Sequence, residues 1–415
     1  MPWLAAIAVV ASLWHAPVQA QTLDWSLSGF GTAAYAVSNR NEKYLRFIDK
    51  EGTFRSDSIA GAQLDGKLTT DWGQFGATIQ AVAKPSDDKD TGLQPTLSWA
   101  FLSYRPNNEW LFRAGKYRPP LFIHMQNMEV GTTYDEARLP QEIYPTSPIY
   151  DVVGLTAAKS WSTGNGDTTL EGYWGRTTAF GRAYDPIQQA ATYAKYDVEA
   201  EGAVLSYQDE TLLLRSNFTL AKARLKSGSG LYPGDVEPTI NIAAPAPLGG
   251  NVYVPTRGKQ RDIVSFVSLG ADWNIDDNWR ITTEYTKRWD QSKIGLGGQA
   301  GYVTLFRKVG DFVPYVGFSR VLTNASNGKR VRELEYSAVP TLANLPATYH
   351  RTLASMIPVL DQASFRLGSS YNLSPTAKIK AEWMFTHVGQ ESTLFDGGPS
   401  GMNANVFTLS FSKSF

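Results

Sequence analysis

The chain has no cysteine, so disulfide frameworks, thiolate zinc sites and cysteine nucleophiles are excluded. It also lacks an excess of either charge. Thirty-nine Lys and Arg stand against 39 Asp and Glu, which leaves no basic field for a phosphate backbone, so nucleic acid is not an expected partner. Histidine is scarce, with His124, His350 and His387 the only ones beyond the first twenty residues. Neither a Gly-x-Ser-x-Gly elbow nor a His-Glu-x-x-His pair occurs; no triad or zinc site is indicated, and we expect neither an enzyme nor a cofactor. Long apolar runs are missing as well. The longest uncharged stretch after the start, residues 238–256, holds Pro238, Pro245, Pro247 and Pro255 and cannot be a spanning helix. What is plentiful is Gly, at 36, and the aromatics, with 12 Trp, 20 Tyr and 19 Phe, a mixture that suits sheets.

Residues 1–20 carry no Asp, Glu, Lys or Arg, run apolar from Leu4 to Leu13, and end in Pro17-Val18-Gln19-Ala20. This reads as a secretory signal cut after Ala20, leaving residues 21–415 as one domain. An exported chain without spanning helices can still cross a membrane as a closed sheet, whose mark is segments of about ten residues with period-two alternation. In residues 279–290, Trp279, Ile281, Thr283, Tyr285, Lys287 and Trp289 alternate with Arg280, Thr282, Glu284, Thr286, Arg288 and Asp290. The two tryptophans are separated by roughly 26 Å along the membrane normal at ~3.4 Å per residue and a tilt near 40°, which matches an apolar band of about 25 Å edged by aromatic girdles. Residues 211–221, 363–373 and 377–388 alternate in the same way.

A soluble sandwich would alternate too, but it would not sort its connections by length. Here short turns near 71–73, 106–109, 162–167, 208–210, 275–278, 309–311 and 373–376 alternate with longer polar stretches near 38–56, 84–95, 118–151, 176–197, 225–262, 290–299, 323–361 and 388–404. That arrangement predicts sixteen antiparallel strands closed into a transmembrane β-barrel, with long loops on one side and short turns on the other.

The last segment places Phe407, Leu409, Phe411 and Phe415 on one face and finishes on an aromatic. Residues 27–35, Leu-Ser-Gly-Phe-Gly-Thr-Ala-Ala-Tyr, form the matching first strand. Both ends, and the pattern between them, resemble the trimeric sixteen-stranded porins of Gram-negative outer membranes. The resemblance implies export through the periplasm, insertion by the barrel-assembly machinery reading Phe411 and Phe415, contact with outer-membrane lipid and lipopolysaccharide, and a homotrimer. It also implies that the third loop folds into the pore. The stretch Phe112-Arg-Ala-Gly-Lys-Tyr-Arg-Pro-Pro120 is similar to the porin segment that closes the fifth strand, and makes Lys116, Arg118, Glu129, Asp135, Glu136, Arg138 and Glu142 the constriction residues.

The inward charges on the clearest strands are Arg215, Arg280, Arg288, Arg366, Lys378 and Lys380 against Glu284 and Glu382. A basic wall facing an acidic loop across a narrow gap would set up a transverse field that favours polar solutes. The expected function is a water-filled channel for passive diffusion of small hydrophilic solutes, weakly anion-preferring. The alternatives are a selective channel for small anions such as carboxylates or phosphate, in which wall arginines bind bidentately, and a non-conducting structural or adhesive barrel. The run Asp87-Asp88-Lys89-Asp90 is a candidate surface cation site.

Overall fold

A computed structural model of the chain describes residues 22–54, 56–226, 236–240, 252–255, 261–292, 295–336, 354–355 and 357–415; the expected signal, residues 1–20, lies outside them. Sixteen strands form one closed antiparallel barrel, each paired with its sequence neighbour. They are β1 (Thr22–Ser38), β2 (Ile59–Thr70), β3 (Gly73–Pro85), β4 (Leu93–Arg105), β5 (Trp110–Tyr117), β6 (Val152–Thr163), β7 (Gly166–Asp185), β8 (Ala190–Gln208) and β9 (Leu212–Leu225). After the fifth long loop follow β10 (Arg261–Asn274), β11 (Trp279–Asp290), β12 (Gly298–Arg307), β13 (Phe312–Thr323), β14 (Leu360–Ser374), β15 (Ala377–Ser392) and β16 (Asn403–Ser414).

Closure joins β1 to β16, with Phe30 opposite Ser414 and Ser38 opposite Val406. Every strand therefore has two partners, which removes the edges that hydrocarbon cannot tolerate. At the seam Phe411 sits opposite Ala33. Phe415 exchanges backbone hydrogen bonds with Gly29 at 2.9 and 3.0 Å, and its ring lies where any β-carbon on residue 29 would stand. Glycine at 29 is what lets the aromatic lie flat on the first strand.

Outward rows are apolar and exposed, as Trp25, Leu27, Leu155, Trp174, Leu269, Phe365, Phe407 and Leu409 show. No helix among the described residues is long and apolar enough to cross a membrane. The seven short connections are turns, as the alternation predicts. Three of the long ones carry structure that polarity alone does not announce. Residues 176–197 are almost wholly strand, because β7 and β8 pair without a break from Asp167–Gln208 to Asp185–Ala190, helped by Phe180, Tyr184, Thr192 and Tyr193, residues that suit a pleated surface. The fifth loop holds a two-stranded sheet, Val236–Ile240 with Val252–Pro255, and the seventh a helix, α1 (Ala325–Tyr336).

The core lies inside the barrel. Its largest cluster joins Leu121, Phe122, Met125, Leu139, Ile143, Tyr144 and Ile149 of the third loop to the inward residues Tyr173, Val198, Ala200, Val204, Ala221, Val264, Phe266, Ala300, Tyr302, Val321 and Leu360. A second cluster carries Tyr44 and Ile48 of the first loop inward against Met384, Val388, Ala404 and Val406. Part of the inner wall is therefore packed against protein and is dry.

Candidate functional site

The chain leaves the wall at Tyr117, where Arg118-Pro119-Pro120 follows and a proline cannot continue a ladder. β5 is consequently the shortest barrel strand, at 8 residues. The third loop then descends through the lumen until Gly131 meets Thr32 and Ser412 at the β1–β16 seam and Thr132 Oγ1 hydrogen-bonds Ser414 Oγ at 3.2 Å. It climbs back along β11–β15 to enter β6.

A buried loop needs partners for its main-chain carbonyls. The wall supplies them. Arg215 donates to the Phe122 and Ile123 carbonyls at 2.7 and 3.2 Å, and Ser268 to the Leu121 carbonyl at 2.5 Å. Arg288 reaches the Thr146 carbonyl at 3.3 Å, Arg366 the Arg138 carbonyl at 3.4 Å, and Lys380 the Glu136 carbonyl at 3.0 Å. From the other direction Glu284 accepts from the Ile123 amide at 2.9 Å and from the Tyr302 and Tyr144 hydroxyls at 2.8 and 3.2 Å.

Asp135 and Glu142 of the loop touch the wall directly, so the expected gap is absent along this stretch, whereas the Glu136 carboxylate is buried with no hydrogen-bond partner among the described residues. Asp135 bridges Arg280 and Lys378, each at 2.8 Å, and accepts from Ser370 at 2.8 Å. Glu142 accepts from Ser319 and Gln362, both at 2.7 Å, and from Ser364. Glu382 accepts from the Tyr315 hydroxyl at 2.9 Å. Arg118 pairs with Glu129 at 3.0 Å. Arg138 pairs with Asp57 of the first loop; burial alone would raise the Asp57 carboxyl, but the Arg138 guanidinium holds it below its ordinary value. The physical reason for these pairings is dehydration: a charge enclosed far from water is costly unless it is paired.

Lys116 stands apart from the other residues expected at the constriction. It sits on the outer face of β5 opposite exposed Val153 and pairs with Asp151 at 3.3 Å. Its place, two residues beyond outward-facing Ala114, follows from strand period two. The acidic run at 87–90 is also committed elsewhere: Asp87 pairs with Lys84, Asp88 with Lys195 and Asp90 with Arg182.

The alternation alone did not single out the residues that make the loop solid: Phe122, Tyr144, Tyr302, Tyr315, Phe266 and Asp57. A signal for the first was present, because Leu-Phe-Ile-His-Met at 121–125 is too apolar for a solvated loop. Burial also lowers His124 to about 4, so its ring is neutral.

Phe101 of β4 packs against the edge of the apolar cluster, but opposite the packed side the inward Arg113, Gln63, Asp65 and Thr78 of β2–β5 keep partial exposure. They are tied by Gln80 to Gln63 at 2.8 Å, Gln63 to Asp65 at 2.8 Å and Thr78 to Asp65 at 2.6 Å. Loop-tip residues Gln126, Asn127, Met128 and Val130 are also part-exposed, and Thr133 is exposed.

This architecture, sixteen antiparallel strands closed on themselves with the third loop inside, has solved counterparts. An anion-selective porin from Comamonas acidovorans superposes with a TM-score of 0.51 at 12% identity, covering 95% of this chain and 100% of its own. The fold is that of a sixteen-stranded porin. OmpT of Vibrio cholerae, an outer membrane protein solved in trimer form, gives 0.50 at 12% identity, covering 96% and 100%. OprB of Pseudomonas putida gives 0.51 at 10%, covering 100% and 97%. No family model matches the chain, and no curated protein does. The porin-like barrel is thus shared in shape with proteins whose sequences are only 10–12% identical to it.

Proposed function

We propose that the protein is an outer-membrane channel for passive diffusion of small hydrophilic solutes, weakly anion-preferring, with the passage running between the β2–β5 wall and the loop tip at 126–133. The observation that carries the ion preference is the orientation of the wall ion pairs. Side-chain exposure is 21% for Arg113 against 9% for Glu171, 26% for Arg280 and 16% for Lys378 against 9% for their shared Asp135, and 16% for Arg288 against 1% for Asp290. In each of these wall pairs the cation is the end presented to water, while in the loop pairs Arg118–Glu129 and Arg138–Asp57 it is the acid; a solute therefore meets positive charge at the wall and a little negative charge at the loop. The pairing keeps that preference small.

The single domain spans residues 21–415 after removal of the signal, and assembles as a homotrimer in contact with lipid and lipopolysaccharide, inserted by machinery reading Phe411 and Phe415. The trimer form of the similar Vibrio barrel supports the assembly, and a heat-labile high-mass band in detergent gels tests it. A channel with no catalytic role suits the porin fold of the neighbours.

Planar-bilayer recording decides the function. Stepwise ohmic conductance and a salt-gradient reversal potential on the anion side are expected. Neutralising Arg280 and Arg288 should bring that potential toward zero, whereas neutralising buried Lys380 should leave it nearly unchanged. Micromolar block by carboxylates or phosphate would establish instead a selective anion channel. Absence of conductance would favour the closed structural barrel, a reading that the two apolar clusters inside the lumen support.

A further inference from the structure

The β7–β8 hairpin extends far beyond the wall. β6 pairs with β7 only as far as Arg176, and β9 pairs with β8 only from Tyr196 downward. Residues 177–185 and 190–195 therefore form a two-stranded ribbon with no further sheet neighbour among the described residues. Such a ribbon is marginal by itself, so its position is set by what its end touches. Nine residues reach ~30 Å at about 3.3 Å each. A sixteen-strand barrel with ~4.8 Å between strands and ~40° tilt is also roughly 30 Å across. The ribbon is long enough to span the mouth.

It does span it. Arg182 donates to Asp396 at 2.6 and 2.7 Å and to Asp90 at 3.1 and 2.9 Å. Asp396 lies in the loop between β15 and β16, eight strand positions around the barrel from β7 and β8, which is half the circumference. Asp90 lies in the β3–β4 loop, between the two along the rim. Tyr193 adds a hydrogen bond to Asp90 at 2.5 Å and receives one from Arg46 of the first loop at 3.2 Å; Lys195 reaches Asp88 at 3.3 Å. Both carboxylates on Arg182 are engaged through two oxygens, an arrangement with strong directional preference. Three extracellular loops are thus joined through one guanidinium, and Tyr193 ties in the first.

We propose that the β7–β8 hairpin is a lid over the extracellular mouth, held down by the Asp90–Arg182–Asp396 clasp, and that the clasp sets the upper size of the solutes that enter. The proposal rests on the channel reading above for its consequence, but not for its geometry. Loss of the clasp releases the ribbon from the β15–β16 loop, while Tyr193 and Lys195 still tie it to the β3–β4 loop, so the lid can tilt away from the far side.

The chain has no cysteine of its own, so an introduced pair has no competitors. A β-carbon on residue 397 would stand 3.6 Å from that of Pro186, within the range a disulfide requires. In Pro186→Cys/Gly397→Cys the disulfide should form readily under mild oxidation, and several-fold more slowly once Arg182→Gln is added; equal rates would overturn the clasp. This readout needs no permeation, so it stands even if the barrel does not conduct. For the lid, liposome swelling with a series of neutral oligosaccharides should show a larger cut-off in Arg182→Gln than in wild type. Oxidising the cysteine pair in the Arg182→Gln background should restore the wild-type cut-off. If the disulfide forms and the cut-off does not move, the hairpin is no barrier. Because Gly397 has φ +70° and a cysteine there is strained, Asp396→Asn serves as an independent variant. It should widen the cut-off as Arg182→Gln does, and an unchanged cut-off would count against the lid.

Discussion

Val204, Ala221, Val264 and Phe266 on one arc of the inner wall are buried against the third loop, whereas Gln63, Asp65 and Thr78 on the opposite arc hold one another by side-chain hydrogen bonds and keep contact with water. Both arcs are built by the same alternation on the same barrel. The difference shows that facing inward does not decide polarity. What decides it is whether the inward side chain meets solvent or meets the folded-in segment, and in this barrel the segment occupies one side.

The largest effect that would break this contrast is expected at Phe122, fully buried against Tyr144 and Phe266. Phe122→Ala should destabilise the loop's seat by about 3–5 kcal/mol, seen as higher and noisier single-channel current and as cleavage of the loop by added protease. The matching truncation on the wet arc, Gln63→Ala, should stay within about 1 kcal/mol and leave the trace quiet. Equal responses would mean that the two arcs are not different environments.

A smaller effect is expected at the junction between the arcs. Asp135→Asn removes the shared partner of Arg280 and Lys378 and should shift the reversal potential further to the anion side, at a stability loss of about 1–3 kcal/mol. A shift toward cations would show that Asp135 itself faces the solute.

The smallest concerns Asp57. Because Arg138 depresses its pKa, the tie between the first and third loops contributes fully above the ordinary Asp value, about 3.9, and is lost as pH falls through the lowered one. Acid titration should therefore loosen the loop only at strongly acidic pH, and Asp57→Asn should show that looseness at neutral pH.

Strand positions and facing were legible wherever the two faces met different solvents. Residues 279–290 alternate clearly because Trp279 to Trp289 face outward while Arg280, Glu284 and Arg288 reach the lumen and the loop. β8 and β12 alternate poorly for reasons now visible: Val198, Ala200, Val204 and Ala300 face inward onto apolar loop residues, while the outward face of β8 carries Glu199 and Glu201, paired with Arg176 and Lys222. The inward facing of Arg215 and Arg366 follows from strand period, but their use was not legible, since nothing local in either indicates that its partner is a carbonyl some 90 or 230 residues away. The inward fold of Tyr44 and Ile48 was hidden for a related cause, two apolar residues in a polar loop being unremarkable on a protein surface.

The wall grips the third loop largely by its backbone: Arg215, Ser268, Arg288, Arg366 and Lys380 all end on main-chain oxygen. Such handholds are indifferent to the side chains of the segment they secure. The frame and the exposed part of the tip are therefore separable: Gln126, Asn127, Met128, Val130 and Thr133 can be rewritten, while Glu129, held by Arg118, and Gly131, set against Thr32 and Ser412, belong to the scaffold.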